Sequence, residues 1–181
     1  MKNIVYIATS EDGFIATKEG GIDWLNECTP VDENDKRFFG FEKLMSSVDG
    51  LIMGRNTYEK VLSFGVEWPY SKKVFVLSTT LNKVDPKLEG KVEIVKGELL
   101  EIIKDLNKKG LENFYIDGGK TIQSFLKLNL IDEMIITIVP KILNAGIPLF
   151  ENEDHSKLFH LESSHTFENG MVQNHFKKFV L

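Results

Sequence analysis

The chain has 181 residues, 42% of them hydrophobic and 27% charged, enough for one globular domain that buries roughly 70% of the surface its unfolded form exposes. A formal charge of −5, with Lys and Arg scattered along the sequence, argues against nucleic acid, whose binders concentrate positive charge to release counterions. No apolar run is long enough to cross a bilayer and the first residues lack a signal-peptide core, so the cytoplasm is expected; a lone cysteine, Cys28, rules out an internal disulfide or a cysteine-based zinc cluster.

In chain order, short runs rich in β-branched and aromatic residues predict strands at Ile4–Ala8, Gly50–Met53, Lys73–Leu77, Val92–Val95, Asn113–Ile116 and Glu133–Val139. Between them, apolar residues at helical spacing predict helices over Asp32–Ser47, Thr57–Leu62, Glu98–Lys109 and Lys120–Leu128. In the third, Leu99, Ile102, Ile103 and Leu106 form one apolar stripe. This alternation is that of βαβ crossovers, so the fold class is α/β, with a largely parallel central sheet and ligand sites at the carboxyl ends of its strands. Leu158–Phe167 and Met171–Val180 flank Glu168-Asn169-Gly170, a turn suited to positive φ, which predicts an antiparallel hairpin at one edge of the same sheet. No linker or repeat divides the chain, and residues 1–181 are expected to form a single domain.

Three strand ends carry chemistry that suits phosphate. Asn113-Phe-Tyr-Ile-Asp117 stops at Gly118-Gly119 and resumes as a helix, a turn in which missing Cβ atoms let a phosphate-sized group approach the main chain and the helix start offers unpaired N–H groups. A tight βα turn with Asp117 as helix cap explains the same residues without a ligand. Leu51-Ile-Met-Gly54-Arg55-Asn56-Thr57 repeats the geometry: Arg55 offers a bidentate phosphate contact and Thr57 a hydroxyl, or Thr57 is a helix cap and Arg55 a solvated side chain. Phe75-Val76-Leu77 runs into the hydroxyl cluster Ser78-Thr79-Thr80. In a parallel sheet these ends converge on one edge. Neither Walker spacing nor a three-glycine dinucleotide fingerprint is present.

These segments, in this order and spacing, resemble the dihydrofolate reductase family, and more closely the reductase domain of bifunctional riboflavin-biosynthesis deaminase-reductases. The resemblance spans nearly the whole chain and rests on Ala8 with Ser10-Glu-Asp12-Gly13-Phe-Ile15-Ala16, on Ile52-Met-Gly54-Arg55-Asn-Thr57, on Val76-Leu-Ser78-Thr79, on Tyr115-Ile-Asp-Gly118-Gly119-Lys-Thr121, and on Val139-Pro-Lys-Ile-Leu-Asn-Ala-Gly146-Ile-Pro-Leu-Phe150. It implies a three-layer α/β/α fold and NADPH as cofactor. By that resemblance Gly54, Arg55, Asn56 and Thr57, together with Ile116, Gly118, Gly119, Lys120, Thr121 and Ile122, would surround the pyrophosphate. Arg55, Leu77, Ser78 and Thr79 would receive the adenosine end and its 2′-phosphate, while Ala8 and Ile15 would flank the nicotinamide. It also implies a cis peptide at Gly118-Gly119. Ser10, Asp12, Trp24, Phe38 and Phe39 would lie on the substrate side, with Thr137 as the substrate-side threonine of the family.

One departure stands out. In dihydrofolate reductases a carboxylate on the first long helix grips the pterin; here that place falls on Phe38 or Phe39, with Asp35 about one turn away on the same face. The segment Gly20-Gly-Ile-Asp23-Trp24-Leu25 also points away from folate. Asp23, Asp35 and solvent remain open as proton sources, each acid having a bland reading as a turn or helix-start residue. The histidines, all in the C-terminal region, have no metal-ligand spacing, and no metal is expected. The expected function is therefore reduction of a small heterocycle, a riboflavin-type pyrimidinone or dihydrofolate, by NADPH. The competing reading is a nucleotide-binding module that has lost catalysis. A homodimer is expected through the strand Met134–Val139 and the hairpin.

Overall fold

The computed structural model describes residues 1–27, 40–151, 155 and 157–179. In chain order its strands are β1 (Lys2–Ser10), β2 (Phe14–Ala16), β3 (Gly50–Gly54), β4 (Lys73–Leu77), β5 (Val92–Val95), β6 (Asn113–Asp117), β7 (Glu133–Val139), β8 (Ile147–Pro148), β9 (Phe159–Thr166) and β10 (Val172–Lys178). Its α-helices are α1 (Phe41–Ser47), α2 (Arg55–Ser63), α3 (Leu99–Lys108) and α4 (Gly119–Lys127). The main sheet runs β5-β4-β3-β6-β1-β7-β10-β9, parallel from β5 to β7 and antiparallel through the final hairpin.

The central strands read as unbroken apolar runs because helices cover both of their faces. Ile52, Phe75, Phe114 and Ile116 pack against Ile102, Ile103 and Leu106 of α3 and against Ile122, Phe125 and Leu126 of α4. The alternate residues Leu51, Met53, Val74, Val76 and Tyr115 turn to the other face, against Leu44 and Met45 of α1 and Tyr58 of α2. Burying each such large apolar side chain contributes about 1.5–3 kcal/mol, which fixes the strand register and with it the positions of the strand ends.

Several expectations are corrected. Helix α2 starts at Arg55, not Thr57, because β3 passes straight into it through Gly54 in extended conformation, so Thr57 is not a cap. The Gly118–Gly119 bond is trans, no cis peptide occurring among the described residues, and the chain turns instead through Gly118 at φ 89 and ψ 136. Of the helix expected over Asp32–Ser47, the described part is α1, entered through Gly40 at φ 75. Asp35, Phe38 and Phe39 lie outside the described residues. The hairpin turns at Gly170 with φ 84, and its second strand, β10, is the one that joins β7. Strand β7 is therefore interior, bonded to β1 and β10, and is not free to pair with a second chain; the edge on that side is β9. The two-residue β8 and three-residue β2 pair with each other, Phe14 against Pro148, a long-range pairing too short to leave a periodic signal.

Candidate active site

The carboxyl ends of β3, β4 and β6 lie side by side, with Met53 opposite Asp117 and Gly54 opposite Leu77. Helices α2 and α4 begin there behind Gly54 and Gly118, and neither start is capped by a side chain. Each therefore presents backbone N–H groups without intrahelical partners and the positive end of its dipole. The two turns pack against one another. A Cβ on Gly118 would collide with Thr57 Oγ1, one on Gly119 would lie 2.7 Å from Ile15 Cδ1, and one on Gly54 would lie 3.1 Å from Thr121 Oγ1. The missing Cβ atoms thus let the two turns pack closely, so that the main-chain donors of α2 and α4 form two sides of one cradle with the chemistry to suit an anion.

Toward β5 the cradle continues into a cavity of about 340 Å³ lined by Arg55, Ser78, Thr79, Thr80, Lys96 and Gly97. Arg55 is held across it, Nη1 donating to Thr80 Oγ1 at 2.9 Å and Nε to Glu59 Oε1 at 2.7 Å. Ser78 Oγ accepts from Leu81 N at 2.9 Å and so shapes the loop, and the uncapped start of α3 opens into the same space. Two cations, hydroxyls and a helix start give this cavity the chemistry of an anion site. Thr80 belongs to the hydroxyl cluster read from sequence, whereas Lys96 and Gly97 were not anticipated; β5 brings Lys96 in through its pairing with β4. Asn56 and Lys120 are exposed, and Leu77 is half-buried at its strand end. Ile116 and Ile122, expected around the pyrophosphate, are instead fully buried core residues beneath the turn, and Thr121 is buried behind Gly54.

On the sheet face covered by α1 and α2, Ala8, Thr137 and Gln173 stand in one row across β1, β7 and β10. Gln173 Nε2 donates to Thr137 Oγ1 at 3.0 Å, and Thr137 is 7% exposed. Gln173 also hydrogen-bonds Tyr6, whose hydroxyl is pushed to higher pKa chiefly by burial. Tyr6, Phe41 and Tyr115 form an aromatic wall with ring centroids 5.7–6.5 Å apart. Trp24 roofs Ala8, together with Val139 and Met171; its indole Nε1 is buried and has no acceptor among the described residues.

Asp117 closes this cleft at the end of β6, next to Gly118. It is half-buried, ringed by protein atoms and partly open to solvent. Burial raises its pKa from 3.8 to about 6, against the opposing pull of the Gly118 N–H and the hydroxyls of Tyr115 and Tyr70. Tyr70 Oη donates to Asp117 Oδ2 at 3.4 Å, and Tyr115 Oη donates to the Tyr6 carbonyl at 3.0 Å. The helix-cap reading of Asp117 is thus set aside: the cap of α4 is Gly118, and no side chain bonds it. An acid that holds its proton toward neutrality, beside a cofactor-shaped turn, has the character of a proton donor.

The other expected acids stand elsewhere. Asp23 is exposed at the first residue of the short helical turn Asp23–Glu27. Ser10 and Asp12 are occupied as a structural corner: Ser10 Oγ donates to Asp12 Oδ1 at 2.6 Å, and Asp12 accepts Leu143 N at 3.1 Å and Asn144 N at 2.7 Å. They clamp the segment before β2 to the one before β8, and Ser10 also lines the larger cavity on the opposite sheet face. Ile15 reaches Gly119, at the turn into α4. His175 pairs with Glu133 at 3.2 Å and His160 with Glu162 at 3.5 Å, while His155 lines a separate, mostly apolar cavity of about 530 Å³ on the opposite sheet face. Among the described residues no three His, Cys, Asp or Glu side chains gather as metal ligands.

The family model described as the RibD C-terminal domain matches residues 2–173. The chain is 32% identical over 176 residues, 97% of each protein, to the uncharacterized protein YwjB of Bacillus subtilis (strain 168). It superposes on the crystal structure of a putative riboflavin biosynthesis protein from Shewanella sp. PV-4 with a TM-score of 0.91 and 49% identity, over 99% of this chain and 100% of that one. It also superposes on a dihydrofolate reductase from Enterococcus faecalis, complexed with NADP(H), with a TM-score of 0.69 and 16% identity over 99% of this chain and 97% of that one, a likeness of fold.

Proposed function

Because the chain belongs to the RibD C-terminal domain family, we propose that it is an NADPH-dependent reductase of a small conjugated heterocycle, a riboflavin-type pyrimidinone or dihydrofolate. The observation that carries this reading is the meeting, at one strand end, of the uncapped glycine turn of α4 with Asp117, an acid whose pKa is raised to about 6. Reduction of a carbon–nitrogen or carbon–carbon double bond needs a hydride donor and a proton donor on neighbouring atoms, and this edge offers a place for each.

The first-turn N–H groups of α2 and α4, with Thr57, would hold the pyrophosphate. Arg55, Ser78, Thr80 and Lys96 would hold the 2′-phosphate, which favours NADPH over NADH. When bound, the cofactor supplies the hydride. Ile15 and Ala8 would bound the nicotinamide end, and Tyr6, Phe41 and Tyr115, packed tilted and edge-on to one another, would offer aromatic surface to the acceptor. The unpartnered Trp24 Nε1 would donate to an acceptor atom on the substrate, since a buried N–H left unmade costs about 1–3 kcal/mol. Asp117 would then deliver its proton from the cleft floor. It takes the part that the sequence left to Asp23, Asp35 or solvent. A dimer, if formed, would use the β9 edge and the exposed Leu161 and Phe179 beside it, which light scattering tests.

The test is to titrate the protein with NADPH while following nicotinamide fluorescence, with NADH as comparator, and then to add dihydrofolate or the pyrimidinone and follow loss of reduced-cofactor absorbance. Turnover with either acceptor supports the reductase. Binding without turnover on any heterocycle supports the module, and a flat titration removes both.

A further inference from the structure

The segment joining α2 to β4 carries two aromatic residues that the cofactor reading does not use. Trp68 packs edge-on against Tyr58 of α2 at 6.0 Å and against Tyr70 at 5.2 Å, and this stack sets Tyr70 over the end of β6. There the Tyr70 hydroxyl meets Asp117 Oδ2, which is its acceptor among the described residues. The second phenol near the acid, Tyr115, also acts on the carboxylate, but its hydroxyl is shared with the Tyr6 carbonyl at 3.0 Å. Tyr70 is the phenol that reaches Asp117 from outside the sheet.

We propose that Tyr70, seated by Trp68, is the positioning residue of this site: it orients the Asp117 carboxyl and tunes how readily that group holds a proton for transfer to the substrate. The proposal rests on the reading of Asp117 as proton donor. Two effects of the one side chain oppose each other. The ring keeps water from the carboxyl and so favours the protonated acid; the hydroxyl donates to the carboxylate and so favours the ionised form. The 3.4 Å separation is long for such a bond, and a charged acceptor draws it shorter. The titratable groups facing Asp117 are Tyr115 from β6 and Tyr70 itself, while Glu42 and Lys43 of α1 are exposed. Hence, among the described residues, these two phenols and the Gly118 N–H are the polar groups acting on the acid, and Tyr70 is the one supplied by a loop.

The experiment is a carboxyl carbon-13 NMR titration of the full chain labelled at aspartate, with Asp117→Asn used to assign the resonance, and it needs neither cofactor nor substrate. Tyr70→Phe keeps the ring and removes the donor, so the Asp117 midpoint should rise by about half a pH unit or more. Trp68→Ala loosens the ring and admits water, so the midpoint should fall by a similar amount. Opposite displacements support the proposal. An unchanged midpoint in Tyr70→Phe, or displacement in the same direction in both variants, overturns it. Should turnover be found, the acidic-to-neutral limb of its pH profile should follow the NMR midpoints. Failure of turnover would remove the reductase reading and leave the titration to judge the positioning role alone.

Discussion

Replacing Asp117 with Asn tests the acid at the centre of the site through stability, without reference to any substrate. The folded-state pKa of Asp117, about 6, lies above its ordinary 3.8, so the folded protein binds the extra proton more tightly than the unfolded chain. Stability carried by this group is therefore greatest below pH 3.8 and is lost as pH rises through about 6. The difference amounts to about 3 kcal/mol at pH 7.5, and solvent at the half-buried carboxyl reduces it to about 2 kcal/mol. At pH 4.5, where the unfolded chain is itself largely ionised but the folded group is not, about 1 kcal/mol is predicted. Asn carries no charge and escapes this penalty at every pH. Its amide makes different hydrogen bonds, but that offset is the same at both pH values, so the comparison between them isolates the charge. Thermal melts of wild type and Asp117→Asn at pH 4.5 and 7.5 should show the variant gaining on wild type by a few degrees more at the higher pH. Equal differences at the two values, or a variant that loses ground as pH rises, would refute the argument that this carboxylate is held against its charge.

Gly118→Ala places a methyl group on Thr57 Oγ1 at a backbone φ of 89 that L-residues seldom adopt; the strain of about 1–3 kcal/mol should lower the melting temperature and reduce NADPH affinity at least tenfold in a fluorescence titration. Arg55→Ala should weaken NADPH binding by about 1.5–3 kcal/mol, the worth of a charge-assisted hydrogen bond, and leave NADH nearly unchanged. If both dinucleotides weaken alike, Arg55 serves the loop and not the 2′-phosphate. Trp24→Phe removes a buried N–H that has no acceptor among the described residues, so the melting temperature should move little while the KM for the heterocycle rises and NADPH binding stays as it was. A large loss of stability instead would mean that Trp24 is a core residue only.

Most of the fold was legible because its signals are local. Lys73–Leu77, Val92–Val95 and Glu133–Val139 appear with the predicted ends, since a β-branched run bounded by turn residues has few other options. The stripe Ile102, Ile103 and Leu106 announced the buried face of α3 for the same reason. The pair β2 and β8 was illegible, because its partners lie more than a hundred residues apart and neither is long enough to show a period. At the site, Gly54 and Gly118 were visible as missing side chains between a strand and a helix. Lys96 was not, because only the pairing of β4 with β5 carries it to Arg55.

The amino-acid order alone therefore determined the alternation of strands and helices and the edge hairpin, consequences of periodicity and of backbone freedom at particular glycines, and it carried the motifs on which the family resemblance rests. Which carboxyl is held against its charge is a matter of tertiary structure. Asp23, beside a conspicuous tryptophan, is exposed. Asp117, which reads as a helix cap, is brought beside Tyr115 and Gly118 by the register of β6 and met there by Tyr70 from a distant loop. Proton affinity is a property of surroundings, and those surroundings come from chain segments that meet only on folding.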